Sequence, residues 1–274
     1  DLKPVNELNF SGKFKGNMNI LNVEDADLSI NNKHLAVVSG SIKNFTDTDN
    51  LYMDLEIPKL HVNPEELLDT SLLTPEILRL GILDFKGNFE GSLTDMTIDG
   101  SLNTDIGSLD ADISSKFNAD YSNASYDGTL NLNEFNLGEF LQDTTYGIVT
   151  ANADIDGSGM SMKELDAKAE IVVESAEYNG YKYEDVRIDG AFAQNKFDGS
   201  LKFEDDNVNL NFNGTASLSD SIPTYDFSMQ IDTINLQNLN FSDTKFDISG
   251  DIEADITGSN INNLKTNKSL TSSV

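Results

Sequence analysis

The feature that most restricts how this chain can fold is a spaced apolar quartet that occurs three times. Its members fall at offsets 0, 2, 5 and 7: Leu55, Ile57, Leu60, Val62; then Leu130, Leu132, Phe135, Leu137; then Met229, Ile231, Ile234, Leu236. A tyrosine precedes each set, at Tyr52, Tyr126 and Tyr225. Alternating runs that end on glycine recur as well: Phe10-x-Gly12-x-Phe14-x-Gly16, Phe85-x-Gly87-x-Phe89-x-Gly91, Ile155 to Gly157 and Ile256 to Gly258. Gly16 to Leu55 and Gly91 to Leu130 both span 39 residues, whereas Gly157 to Met229 spans 72. An internal repeat with one insertion is the economical explanation, with weak units over about 8–80, 81–145 and 146–264. Alternation runs through the chain without a composition break, so residues 1–267 are expected to be one continuous element; residues 268–274 drop the pattern and are expected to fray.

Between these marks the side chains alternate with period two, which in a strand sorts them onto opposite faces. Ala151, Ala153 and Ile155 share one face, while Asn152, Asp154 and Asp156 share the other. Ala167, Ala169, Ile171 and Val173 form a second such set, Leu130 and Leu132 a third, and Ile248, Ile252, Ala254 and Ile256 a fourth. Short strands are expected at Leu28–Ile30, Leu35–Val38 and Ile42–Phe45, parted by Asn31-Asn32 and Ser39-Gly40. Gly91-Ser92, Gly100-Ser101 and Gly107-Ser108 read as turns. So do Asn179-Gly180, Asp189-Gly190, Asp198-Gly199 and Asn213-Gly214, the pairs that tight antiparallel hairpins prefer; they divide 178–218 into about four strands. Pro58 suggests an edge, bend or bulge. Roughly 18 to 20 strands result.

One region departs from this pattern. Asn63 is placed as an N-cap with Pro64 at the first helical position and Glu65 and Glu66 in the first turn, and Thr74-Pro75-Glu76 repeats the signal. Leu67, Leu68, Leu72, Leu73, Ile77, Leu78 and Leu80 make the stretch apolar, and Gly81 stops it. Two short helices packed on the sheet are expected, plugging or capping the local groove, with a lipid gate or a partner helix as the functional alternative.

The formal charge of −29 argues against a nucleic-acid or anionic-membrane surface, since phosphate binding needs clustered Lys and Arg. The absence of cysteine removes disulfides, thiolate catalysis and Cys-ligated zinc. An apolar content of 38% is lean for a globular core, yet too regular for disorder. No apolar run approaches the ~18 residues of a spanning helix, and the start of the chain lacks signal-peptide character, so the chain is expected to be an interior segment of something longer.

Chemical candidates are few. Asp154, Asp156, Ser158, Gly159 and Glu164 imitate a calcium loop, but the glutamate falls one position short and the stretch patterns as a strand and turn. Glu204, Asp205 and Asp206 suit an exposed hairpin tip better than a cation site. His34 and His61 stand alone, as surface or groove-edge residues. No carboxylate pair stands out by spacing, and with no Trp the platforms typical of sugar binding are missing.

A sheet with one apolar and one acidic face must cover the apolar side. It can do so as a two-layer sandwich, as a trough curled along its length, or with a ligand or partner. The alternating strands punctuated by Asp-Gly and Asn-Gly, the phrase Leu130-x-Leu132-x-x-Phe135-x-Leu137-Gly138-x-x-Leu141 and the Gly147 to Gly159 stretch resemble the AsmA-like superfamily, most closely its TamB branch. The resemblance covers nearly the whole chain and rests on β patterning and turn residues. It implies an all-β fold, a long, mostly antiparallel curled sheet (a β-taco or half-pipe) with an apolar groove, in the periplasm of a diderm bacterium. It further implies an inner-membrane anchor and an outer-membrane barrel partner of the TamA type, both engaged through regions outside this segment, and a role in phospholipid movement or outer-membrane protein assembly. No cofactor and no catalytic residue is implied. The groove would be lined by Leu130, Leu132, Ala151, Ala153, Ile155, Ala169, Ile171, Val173, Met229, Ile231, Ile248, Ile252, Ala254 and Ile256, holding acyl chains. The rivals are an acidic, calcium-binding adhesin-like β-repeat protein and a β-solenoid acting on polysaccharide.

Overall fold

The computed structural model describes residues 7–31, 33–67, 74–118, 122–160, 164–218, 222–257 and 265–266. The fold is all-β. Strands β1 Leu8–Gly16, β2 Ile20–Ile30, β3 Lys33–Lys43, β4 Tyr52–Val62, β5 Leu83–Gly91, β6 Asp95–Thr104, β7 Gly107–Phe117 and β8 Ala124–Asn136 come first. They are followed by β9 Tyr146–Ser158, β10 Asp166–Tyr178, β11 Tyr181–Ala193, β12 Lys196–Glu204, β13 Val208–Ser217, β14 Thr224–Asn235, β15 Asp247–Thr257 and the two-residue β16 Lys265–Thr266. Among the described residues three short α-helices interrupt them: α1 Pro64–Leu67, α2 Pro75–Leu80 and α3 Leu137–Leu141. Strand order is chain order in one sheet that is not closed into a barrel. Short connections leave no room for crossovers, so neighbours are antiparallel. The chain groups into two compact units, residues 1–122 with 128–142, and residues 123–127 with 143–274.

Strands are longer and fewer than the glycines suggest. Asn179-Gly180 is a true two-residue turn, with φ of 51° and 73°, and Gln194-Asn195 is another at 52° and 59°. Asp189-Gly190, Asp198-Gly199 and Asn213-Gly214, by contrast, lie inside β11, β12 and β13, so residues 178–218 hold three strands rather than four. Gly100-Ser101 is likewise inside β6 and Ser39-Gly40 inside β3, while Gly107-Ser108 opens β7 and the turn lies just before it, at Asp105-Ile106. These glycines mark close approach instead. Gly190 pairs with Gly199 and Gly199 with Gly214 in the second unit, as Gly87 pairs with Gly100 in the first. A Cβ on Gly199 would stand 2.6 Å from the Gly190 Cα and 2.9 Å from the Phe197 ring, because Phe197 lies over the glycine pair as Phe85 does over Gly87 and Gly100.

The apolar quartet also has a structural cause. Between its second and third members two residues intervene where alternation allows one, and there the register shifts: between Ile57 and Leu60 in β4, across Pro58, and between Ile231 and Ile234 in β14. Glu134 of β8 takes a left-handed φ of 48° at the same place. The bulge restores phase, so the third apolar side chain of each quartet returns to the face of the first two.

Each bulged strand then ends in an asparagine whose side chain captures a backbone N–H a short way on. The Oδ1 of Asn63 accepts from Glu65 at 3.1 Å, that of Asn136 from Glu139 at 3.0 Å and that of Asn235 from Asn238 at 2.9 Å. This stops the strand and starts α1, α3 and the 236–246 loop respectively. Thr74 caps α2, and Gly81 ends it at φ 69°. Leu68, Leu72 and Leu73 of the expected helical stretch lie outside the described residues. Gly199→Val, which drives a branched side chain into the paired strand, is expected to cost about 1–3 kcal/mol, read as a lower urea midpoint at unchanged m.

Candidate functional site: an uncovered apolar face

Register places the apolar residues in rows that cross the strands. In the second unit Ala153, Ile171, Ile188, Leu201, Phe212, Met229 and Ile252 pair in succession. A flanking row holds Ala151, Val173, Val186, Phe203, Leu210 and Ile231. On the other side run Ile155, Ala169, Gly190, Gly199, Gly214, Phe227 and Ala254, then Ala167, Phe192, Phe197, Ala216, Tyr225 and Ile256. In the first unit Phe14, Val23, Gly40, Leu55, Phe89, Ile98 and Ile113 form a comparable row.

Of the residues expected to line a groove, twelve of the fourteen lie in the second unit, eleven of them in the four rows and Ile248 beside Ile234; Leu130 and Leu132 lie on the corresponding face of β8 in the first. Ile188, Leu201, Phe212, Phe227 and Phe197 belong to the same surface. The alternation that marks their neighbours marks them equally.

Within each unit, no described element forms a second layer over these rows. Among the described residues no large apolar side chain is fully enclosed, and most row members keep part of their surface. Cover comes from caps. In the second unit the 236–246 loop folds back so that Leu239, only 3% exposed, packs with Val208, Leu210 and Ile231 against Tyr183, Phe203 and Ile248. Asn179 and Asn240 clasp the loop to the β10–β11 turn through reciprocal side chain-to-carbonyl bonds of 3.0 Å. In the first unit α2 is tied to the β6–β7 turn, where Asp105 N–H donates to the Leu80 carbonyl at 3.0 Å and Ile82 N–H to Asp105 Oδ2 at 3.1 Å. Arg79 Nη1 donates to the Phe140 carbonyl of α3 at 2.8 Å, and Phe140 packs edge-on to buried Phe135 at 5.6 Å.

One polar network supports the second cap. Asp205, expected at an exposed tip, is 7% exposed and accepts from Tyr181 Oη at 2.6 Å, Asn207 N–H at 2.8 Å and Glu184 N–H at 3.0 Å. Asn207 Nδ2 donates to Tyr181 Oη, and Asn238 Nδ2 of the cap loop donates to Asn207 Oδ1 at 2.7 Å. Burial, with the hydrogen bond to Asp205, pushes the Tyr181 phenol up to about 12. Within the acidic run Asp205 is a turn lock, while Glu204 and Asp206 stay exposed as expected; what hides the lock in the sequence is that Glu184 and Tyr181 lie 21 and 24 residues away.

The opposite face is polar, and its residues line depressions of about 580 Å³ in the first unit and about 590 and 540 Å³ in the second. That of about 590 Å³ is lined by Asp154, Asp156, Glu170, Asp189, Asp198 and Lys168 among others. Asp154 and Asp156 thus belong to a strand rather than a calcium loop, and among the described residues no group of three or more potential ligands is placed to hold a metal ion. A smaller hollow of about 240 Å³ lies in the first unit between Ile30, Leu35, Ile82, Lys33, His61 and Glu66. His61 Nδ1 sits 2.6 Å from Asp84 Oδ1, both groups half-exposed, and Lys33 pairs with Glu66. The His34 side chain lies outside the described residues.

Searches of protein families, curated proteins and solved structures return no match to this chain. Leu239→Ala is expected to lower stability by about 2–3 kcal/mol in chemical denaturation, the cost of a buried leucine withdrawn from a small cluster. Because folding raises the Tyr181 pKa above its ordinary value near 10, the network's contribution is intact below pH 10 and lost as pH rises toward 12. Wild-type melting temperature is therefore expected to fall more steeply between pH 10 and 12 than that of Tyr181→Phe, which starts lower.

Proposed function

We propose that this chain is a segment of a non-enzymatic envelope-biogenesis protein of the TamB-like, AsmA-like kind, whose apolar face carries phospholipid acyl chains between the inner and outer membranes of a diderm bacterium. One observation carries the proposal: in the second unit apolar rows run across seven strands, and no described element of that unit forms a second layer over them. Six strand spacings make such a row about 29 Å long, close to the hydrocarbon thickness of a bilayer.

The chemistry of the face favours a hydrocarbon guest. Strand backbones are paired along the row, so the face offers a guest peptide no hydrogen bonds for its own amides. An alkyl chain has none to satisfy, and each shielded CH₂ contributes about 0.8 kcal/mol. The row residues carry no charge, and carboxylates are set on the other face, where they keep an open sheet soluble. A periplasmic setting, an anchor in the inner membrane and an outer-membrane barrel partner of the TamA type complete the proposal, through regions outside this segment. Assistance to outer-membrane protein assembly belongs to the same proposal.

The test is extraction of lipid from the purified segment, followed by mass spectrometry. Phospholipid is expected in wild type, with several-fold less in Ile252→Asp, which puts a charge into the middle row. Wild-type protein that carries no more phospholipid than an unrelated acidic β protein would sink the proposal.

A further inference from the structure

Resting on the conduit reading above, we infer that the caps make the second unit's face one-sided: an acyl chain lies across the strands in the uncapped half, over the glycine row, and reaches it past the loops that follow odd-numbered strands.

The capped half is occupied. Leu239 and its neighbours fill the surface over Val208, Leu210 and Ile231, and Asn207, Asn238 and Tyr181 tie that plug down. Burial follows the same gradient. Val186, Leu210 and Ile231 in the row nearest the plug are buried, whereas Phe192, Phe197, Ala216 and Tyr225 at the far end are only part-covered. Between these extremes Gly190, Gly199 and Gly214 sit side by side with no side chains to raise the surface. The Phe197 ring covers the first two, so the lane runs over that ring and Gly214, bordered by Leu201 and Phe212.

The two ends of the strands differ in the same sense. Beyond the uncapped end, the loops after β9 and β13 expose Met160, Leu218 and Ile222 at 59, 57 and 56%. At the capped end the turns Asn179-Gly180 and Asp206-Asn207 present Asn, Gly and Asp, and the 236–246 loop exposes Phe241 and Phe246 at 54 and 56% while its Leu239 fills the floor of the face. The first unit repeats the arrangement: Met18, Phe45 and Leu93 are exposed in the loops after β1, β3 and β5, while α2 and α3 follow β4 and β8. A guest chain therefore meets exposed apolar side chains at both ends of the strands, but an open floor only behind the loops that follow odd-numbered strands, because Leu239 fills the other. Its headgroup stays at the open end, because the face itself holds no charged partner for it.

The chain contains no tryptophan, so a single introduced one reports its own position. Phe197→Trp probes the uncapped half and Phe203→Trp the plugged half. Each is mixed with phosphatidylcholine vesicles whose acyl chains are brominated or plain, and bound lipid is measured separately as radiolabelled phosphatidylcholine retained on gel filtration. We expect lipid to be retained, Phe197→Trp emission to be quenched about twofold or more by the brominated lipid, and Phe203→Trp emission to be unchanged until Leu239→Ser opens the plug. Phe227→Trp replaces Phe197→Trp if the latter fails to fold. Retained lipid with equal quenching at both positions, or with none in the uncapped half, overturns the one-sided lane and leaves the conduit standing. Failure of wild-type protein to retain lipid at all overturns both.

Discussion

A sheet one layer thick satisfies its backbone sideways and leaves its apolar face to be dealt with separately. That asymmetry governs the molecule. Lateral pairing fixes register so firmly that a one-residue slip would carry every apolar side chain to the polar face. It does nothing to take those side chains out of water. In a two-layer sandwich the partner sheet would do so, and many side chains would be fully enclosed; among the described residues none of the large ones is. The cover is local instead, built from connections lengthened at three places in a chain whose other turns are short.

Sequence and structure meet most closely at those three places. The offsets of the apolar quartet look irregular until the bulge is seen, and then the extra residue is what keeps Leu60 and Ile234 on the same side as Ile57 and Ile231. The asparagine after each bulged strand was visible as a helix signal only at Asn63, where Pro64 and two glutamates follow. At Asn136 and Asn235 the same side chain-to-backbone bond forms without those companions. Local patterns identify a cap where helix propensity adds to it, and miss it where the loop's own tertiary contacts do the holding.

The glycines show the opposite failure. Asp-Gly and Asn-Gly are strong turn signals because both residues tolerate positive φ, but the pair does not by itself say whether the chain turns. At Asn179-Gly180 it does. At Asp189-Gly190 and Asp198-Gly199 the aspartates simply occupy polar-face positions, and the glycines let Phe197 settle over two adjacent backbones. Alternation across the dipeptide was the better guide, since Ile188 and Phe192 keep the same phase on either side of Gly190. Which residues face the apolar side was therefore legible almost throughout; which part of that side remains open was not, because Leu239 comes to it from about thirty residues beyond Leu210 and Asp205 is buried by partners more than twenty residues away.

The caps also divide each unit energetically. Side chains beneath Leu239 share a small dry cluster and a satisfied polar network, whereas those around Phe197 are held by lateral pairing and part-covered contacts alone, so local opening is expected to be easier toward the far ends of the strands. A guest that shields only the far half would draw its binding energy from surface the fold leaves wet, and would stabilise the part of the sheet that is weakest without it. A guest seated over Val208 and Ile231 would first have to expel Leu239 and break the Asn238–Asn207 bond. On the proposed conduit reading, the residues that complete the small core of the second unit would also keep an apolar ligand off it, leaving a single lane on that unit's face.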